Sequence, residues 1–330
     1  MTDIRWGIIG CGDVTEVKSG PALQKAAGSS LVAVMRRDGA KAADYAKRHG
    51  IAAWYDDADA LIADPNVNAV YVATPPSSHA DYALRAIVAG KPVYVEKPMA
   101  RTGDECRRMN AAADAAGVPL FVAYYRRCLP RFVKVKELID GGAIGDVRTI
   151  RITLWRPPSK SDTAGPGSWR TDPSIAGGGL FVDLASHTLD LLDHLCGPIA
   201  TAYGHATNLG RTYDAEDTVV GHFRFANGAL GTGSWCFAAG DSRDEVDIIG
   251  SRGRIAFSTF GEKPVTLERA AGAESFEIAH PPHVQQPLIQ TVVDALLGRG
   301  ECPSTGKSAA RTSVVLDTLL TTWRADHPLP

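Results

Sequence analysis

The stretch Trp6-Gly7-Ile8-Ile9-Gly10 reads as a buried strand, and it runs directly into Gly10-Cys11-Gly12-Asp13-Val14-Thr15. A strand, a glycine turn and a helix start, in that order, define the beginning of a dinucleotide-binding βαβ unit. Gly10 permits the tight turn, and Gly12 lets the backbone approach a pyrophosphate. Asp13 and Val14 open the helix, whose N-terminus offers free N–H groups and the positive end of a dipole to an anion. Thr15 stands where a third glycine is usual and is small enough to keep helix and strand close.

The residues that follow keep the alternation. Leu31–Met35, Ala69–Ala73, Lys91–Val95 and Leu120–Ala123 read as strands. Pro21–Ala27, Gly39–His49, His79–Ala89 and Thr102–Ala116 read as helices. This spacing predicts an α/β fold, a doubly wound parallel sheet over residues 1–123. After Tyr124 the pattern changes. A helix at Pro130–Asp140 precedes strand-like runs at Val147–Trp155, Thr201–Leu209, Thr218–Phe225, Ala229–Phe237, Glu245–Ile249 and Arg254–Phe257. Asn227-Gly228 is a hairpin signal. Residues 124–330 are therefore expected to form an α+β domain with an open, mainly antiparallel sheet. Leu180–Leu195, Leu288–Leu297 and Ala309–Trp323 are its helices, the last of them (about 307–325) expected to pack back toward the first domain. Pro157–Ser168 is too rich in Pro, Ser and Gly to be an element. A chain of 330 residues suits two such domains.

Charge narrows the function classes. The 35 Lys and Arg balance 37 Asp and Glu without long like-charged blocks, which argues against a nucleic-acid or membrane partner. The six cysteines are scattered with no metal-ligand spacing, as expected for free thiols in a reducing compartment. The N-terminus has no secretory pattern and no apolar run reaches membrane-spanning length, so a cytoplasmic protein is expected.

Three clusters carry chemistry. The second strand ends in Met35-Arg36-Arg37-Asp38. A guanidinium grips a ribose 2′-phosphate with paired hydrogen bonds, where a carboxylate would repel it. Arg36 and Arg37 thus favour NADP(H); NAD(H), with Asp38 on the ribose and both arginines solvated, is the alternative. Glu96-Lys97-Pro98 ends a parallel strand, the edge where ligands bind in such sheets. Lys97 there can approach nicotinamide and substrate, and Pro98 admits a cis peptide bond. Taken alone the tripeptide is also compatible with a surface turn. In Gly177-Gly178-Gly179-Leu180 onward, Asp183 and His187 are four apart and share a helix face, with Asp190 three further on. A carboxylate beside an imidazole in an apolar helix suits a proton relay; a satisfied core histidine is the bland reading. No metal site is expected, since His194 has no cysteine companion.

In combination, the N-terminal glycine turn, Glu96-Lys97-Pro98 and the triple glycine leading to Asp183 and His187 resemble the glucose–fructose oxidoreductase / inositol dehydrogenase (Gfo/Idh/MocA) family over nearly the whole chain. The resemblance implies a Rossmann domain, a C-terminal sheet that forms a homodimer or homotetramer, and hydride exchange between NADP(H) or NAD(H) and a CH–OH group of a sugar, inositol or related polyol. It implies that Lys97, Asp183 and His187 are catalytic and bind substrate, with Lys97 polarising the substrate oxygen and His187 as the acid/base. Thr74, Pro75, His79 and Glu96 match the cofactor-lining loops, Tyr125 and Arg126 a substrate-facing position, and Trp169 and Arg170 a segment near the nicotinamide or the phosphates. Some members use tyrosine where this chain has His187. The segment 156–170 carries no pattern tied to one sugar. Two other functions known on this fold, an NAD-dependent glycosidase and a catalytically silent ligand sensor, fit Arg36-Arg37 and the intact Lys97, Asp183 and His187 less well.

Overall fold

A computed structural model describes residues 2–329 except 160–161 and 163–167, so most of the segment 157–168 lies outside the described residues. The chain divides into two compact units, 1–128 with 281–310, and 129–280 with 311–330. The first unit thus extends past the 1–123 stretch of the sequence pattern and takes in a late segment.

The first unit is built on six parallel strands: β1 (Ile4–Ile9), β2 (Ser29–Met35), β3 (Ala53–Tyr55), β4 (Ala69–Val72), β5 (Val93–Val95) and β6 (Leu120–Val122). Their order is β3-β2-β1-β4-β5-β6. The order reverses between β1 and β4, which is where doubly wound sheets open a ligand crevice at the strands' carboxyl ends. β4 and β5 are buried along their whole length. Helices cover both faces of such a sheet, so its strands read as continuous apolar runs rather than as alternation. Local caps set the helices. Asp38 accepts from Lys41 N at the start of Gly39–His49, and Thr102 accepts from Glu105 N at the start of Gly103–Ala116. The helix expected at Pro21–Ala27 is two short ones, Asp13–Val17 and Gly20–Lys25. The edge strand β3 and the helix Ala58–Ala63 give no sequence signal strong enough to read: β3 has three residues and its Trp54 is exposed.

The second unit holds an eight-stranded sheet: β7 (Val147–Trp155), β8 (Ile199–Thr207), β9 (Thr218–Phe225), β10 (Leu230–Cys236), β11 (Arg243–Gly250), β12 (Gly253–Phe257), β13 (Val265–Arg269) and β14 (Gly272–Phe276). The order is β14-β13-β12-β11-β7-β10-β9-β8. Every pairing is antiparallel except β7 with β10. β10 alternates buried and exposed residues, the mark of a sheet covered on one face. The helix Leu180–Cys196 packs on that face, with the Phe181 ring edge-on to Trp235 at 5.0 Å. The last expected helix is broken into Gly306–Leu319 and Thr321–Asp326, and the first of these spans the division between the units.

Candidate active site

In the first unit the expected residues line the carboxyl edge of the sheet. Gly10 and Cys11 both donate their backbone N–H to Met35 O, tying the glycine turn to the end of β2. Gly10 has φ +94, and a Cβ there would meet Thr74 N at 2.9 Å. Gly12 differs: a Cβ there would find nothing nearer than Gly10 O at 4.0 Å. That open space directly precedes the helix Asp13–Val17 and fits a pyrophosphate approaching the backbone. Thr15 is fully buried and turns its hydroxyl back to Gly12 O (2.7 Å), so it takes the close-packing role of the third glycine.

Arg36 Nη1 reaches Cys11 O at 3.4 Å, which holds this guanidinium beside the glycine turn. Arg37 is exposed. Asp38 is occupied with its own helix, accepting from Lys41 N and pairing with Lys41 Nζ at 3.3 Å. Thr74 and Pro75 form the loop after β4. His79 behind them is fully buried, one ring nitrogen 2.6 Å from Thr74 O and the other 2.9 Å from Pro98 O. Burial lowers its pKa against the two carbonyls that favour the proton. A side chain so enclosed offers no surface to a ligand. His79 instead ties the Thr74 loop to the Glu96-Lys97-Pro98 turn.

Glu96 is likewise a tie. Its Oε1 accepts from Tyr71 Oη (2.6 Å) and Gln285 Nε2 (2.7 Å), and its Oε2 from Lys97 N (3.1 Å). Tyr94 Oη donates to Gln285 Oε1, closing a buried network. Burial and the neighbouring Glu96 push the Tyr71 phenol well above its usual range, so it remains a donor. Glu96 therefore anchors the backbone on which Lys97 stands, partly exposed, just before a cis Lys97–Pro98 bond. Tyr125 and Arg126 follow β6 and pair with each other, Arg126 Nη1 donating to Tyr125 Oη at 3.1 Å.

The second unit assembles the other group. Asp183 lies in the first turn of Leu180–Cys196 and His187 one turn on, 8% and 4% exposed. The His187 ring meets Phe260 edge-on at 5.8 Å. Arg170 stacks on Trp169, and its Nε stands 3.6 Å from Asp183 Oδ2. Arg170, expected near the cofactor, thus also faces the Asp183 carboxylate. Asp190 accepts from Thr312 at 3.3 Å, and Asp193 forms a bidentate pair with Arg311; both fasten the helix Leu180–Cys196 to Gly306–Leu319. Among the described residues no group of three or more His, Cys, Asp or Glu is placed to hold a metal ion. Among the described residues no helix is long and apolar enough to cross a membrane.

Comparison with known proteins identifies the family. The family described as "Oxidoreductase family, NAD-binding Rossmann fold" matches residues 4–124, and "GFO/IDH/MocA C-terminal domain" matches 132–256. The chain belongs to the Gfo/Idh/MocA oxidoreductase family. It is 42% identical to "Oxidoreductase P35" of Formosa agariphila, over 95% of this chain and 97% of that protein. It is 29% identical to the 1,5-anhydro-D-fructose reductase of Ensifer adhaerens, over 92% and 91%. A levoglucosan dehydrogenase solved with NADH and levoglucosan superimposes with a TM-score of 0.87 at 25% identity, covering 98% of each chain. This Gfo/Idh/MocA member is thus an NAD(P)-dependent oxidoreductase of the sugar and polyol dehydrogenase type.

Sequence reasoning missed Tyr71, Gln285 and Glu216. Tyr71 looks like one more apolar residue of a buried strand. Gln285 lies about 190 residues from its partner, next to nothing but a helix start. Glu216 hides in the acidic turn Asp214-Ala215-Glu216-Asp217, whose only legible signal is that it separates two strands.

Proposed function

We propose that this protein exchanges hydride between NADP(H) and a secondary alcohol or ketone of a sugar, inositol or related polyol. The buried Asp183–His187 pair, in a chain whose other unit carries the open turn at Gly12, is the observation that carries this reading. The nicotinamide, when bound, supplies the hydride acceptor or donor.

The remaining work belongs to the chain. The Gly10–Gly12 backbone and the helix start at Asp13–Val14 hold the pyrophosphate. Thr74 and Pro75 line the loop beside it, and Trp169 with Arg170 serve the nicotinamide end and the substrate. Arg36, held beside the glycine turn, takes the 2′-phosphate, helped by Arg37. Its position and the engagement of Asp38 with Lys41 support NADP(H), although the levoglucosan dehydrogenase above was solved with NADH. Lys97 donates a hydrogen bond to the reacting oxygen and, as a cation, stabilises its alkoxide character. His187 takes the hydroxyl proton at its ring nitrogen in oxidation and returns it in reduction. Asp183 binds a substrate hydroxyl and tunes Lys97. Tyr125 and Arg126 contact the substrate, and Glu96 keeps the Lys97 backbone in place. Positioned proton transfer of this kind contributes about 10²–10⁴-fold in rate. The outward face of β8, β9 and β10 exposes Tyr203, Val220 and Leu230, which supports a homo-oligomer through this sheet, read by sedimentation equilibrium.

A panel of levoglucosan, myo-inositol, scyllo-inositol and 1,5-anhydro-D-fructose with each dinucleotide, read by nicotinamide absorbance, tests the reaction. K97A and H187A should each lower kcat by ~10²-fold or more with the dinucleotide Kd unchanged. Near-normal turnover in either variant removes that residue from the chemistry. NADPH should bind more tightly than NADH; the reverse order ends the Arg36 assignment.

A further inference from the structure

The helix bearing Asp183 and His187 begins immediately after Gly177-Gly178-Gly179, and this run is gripped from two sides. Glu216, 1% exposed, accepts from Gly179 N at 2.8 Å through its Oε1. Arg324, on the helix Thr321–Asp326, donates from Nη2 to Gly177 O at 2.7 Å and is itself steadied by Asp317. Gly179 has no side chain with which to cap its helix, so the carboxylate from the 214–217 turn satisfies one of the N–H groups that a helix start leaves open. The approach is close. A Cβ on Gly179 would meet Glu216 O at 2.5 Å, and one on Gly178 would meet Glu216 Oε1 at 3.0 Å.

A cavity of ≈ 200 Å³ lies on the outer side of this run, bordered by Gly177, Gly178, Glu216, Trp323, Arg324 and His327. Leu180, Phe181 and Val182 of the first turn are packed in the core, and on the cavity side the two polar contacts hold the run that precedes them. Asp183 is four residues beyond Gly179 and His187 eight, so any slide or rotation of the first turn is passed along the helix to both.

We propose that Glu216 is a positioning residue: with Arg324 it clamps the Gly177–Gly179 run and thereby sets where Asp183 and His187 stand. The inference rests on the reading of those two residues as the proton-handling pair, and its test separates the two. The burial that raises the Glu216 carboxyl to about 7 is consistent with a group retained despite its desolvation cost.

The experiment compares E216A and E216Q with the wild type in two readouts. The first is amide hydrogen exchange of peptides covering residues 177–190, which requires no substrate. E216A should lose protection there by ~10-fold or more, and E216Q, which keeps an Oε1 acceptor in the same place, should restore it. The second is turnover with the fastest substrate of the panel above. E216A should lower kcat ~10-fold with the dinucleotide Kd within ~2-fold, and E216Q should recover to within ~3-fold of the wild type. Unchanged exchange in E216A overturns the clamp. Normal kcat in E216A while H187A is inactive overturns the positioning role alone. Normal kcat in H187A overturns the proton-transfer reading and leaves the exchange result to decide the clamp. If E216A does not fold, R324M removes the other contact and is read in the same two ways: lost protection supports the clamp, wild-type protection sinks it.

Discussion

Two glycine turns each precede a helix in this protein, and they use glycine for opposite purposes. At Gly12 in the first unit, the missing side chain leaves space that the protein does not fill. At Gly179 in the second unit the space is taken by the protein's own 214–217 turn, and at Gly178 by Val182 and Glu216, with Glu216 inserted against the helix start. One turn leaves room beside its backbone, as the proposed pyrophosphate contact requires, and the other is filled by a neighbouring loop. A sequence shows only glycines before a helix in both cases, so the difference has to come from what a Cβ would meet.

The largest effect expected from this contrast is in stability. G179A places a methyl group 2.5 Å from a backbone oxygen and 2.9 Å from the Ala215 methyl, neither of which is the end of a flexible chain. Overpacking of this kind costs about 1–3 kcal/mol, and G179A belongs at the upper end. Urea unfolding followed by circular dichroism measures it. A wild-type midpoint would mean that the 214–217 turn yields easily and that the two turns are less different than their geometry indicates.

The converse effect belongs to the first turn. Gly12 has φ −128, which an alanine adopts without strain, and a Cβ there has room. G12A should therefore unfold within about 0.5 kcal/mol of the wild type. Its methyl group occupies the space left for the pyrophosphate, so the dinucleotide Kd should rise ~10-fold, about 1.4 kcal/mol. Calorimetric titration with NADPH reads this directly. Unaltered binding would show that the open space at Gly12 is not where the cofactor approaches.

The same contrast explains what was legible in the sequence. The Rossmann strands other than the edge strand β3, and the helix Gly39–His49, show clearly because buried parallel strands are continuous apolar runs and the helix ends are marked by Asp38 and Gly50. Pro130–Asp140, Val147–Trp155 and Thr218–Phe225 carry unbroken period and alternation, and their ends fall where the pattern puts them. The edge hairpin β13–β14 is missed because β14 is almost wholly exposed and has no apolar face to alternate. Among the proposed site residues, Lys97, Asp183 and His187 are visible because each stands in a compact motif. Glu96 and His79 are visible for the same reason, but their burial gives them a supporting role that residue type alone does not reveal. Gln285 and Glu216 act across long sequence separations, and no local spacing records such a contact.

The effects of pH run in opposite directions at the two turns. Glu16, in the helix after the first turn, is hydrogen-bonded by Arg48 and His49, which lower its carboxyl to about 2. Glu216 is raised to about 7 by burial, with Arg324 opposing and Asp217 reinforcing the shift; Asp172, Asp214 and His327 border the same cavity. A lowered carboxyl stabilises the fold above its unfolded value near 4.5, and that contribution disappears as pH falls toward 2. Because Glu16 is about one-third exposed, screening limits it to about 1 kcal/mol or less. A raised carboxyl does the reverse. The folded state keeps a proton that the unfolded chain releases, so stability declines as pH rises from about 4.5 to about 7. Urea midpoints measured from pH 3 to pH 8 should therefore lose their decline between pH 5 and 7 in E216Q, and part of their acid loss below pH 4 in E16Q. A decline between pH 5 and 7 that survives in E216Q would place its origin in another group and leave the second turn without the protonation behaviour assigned to it.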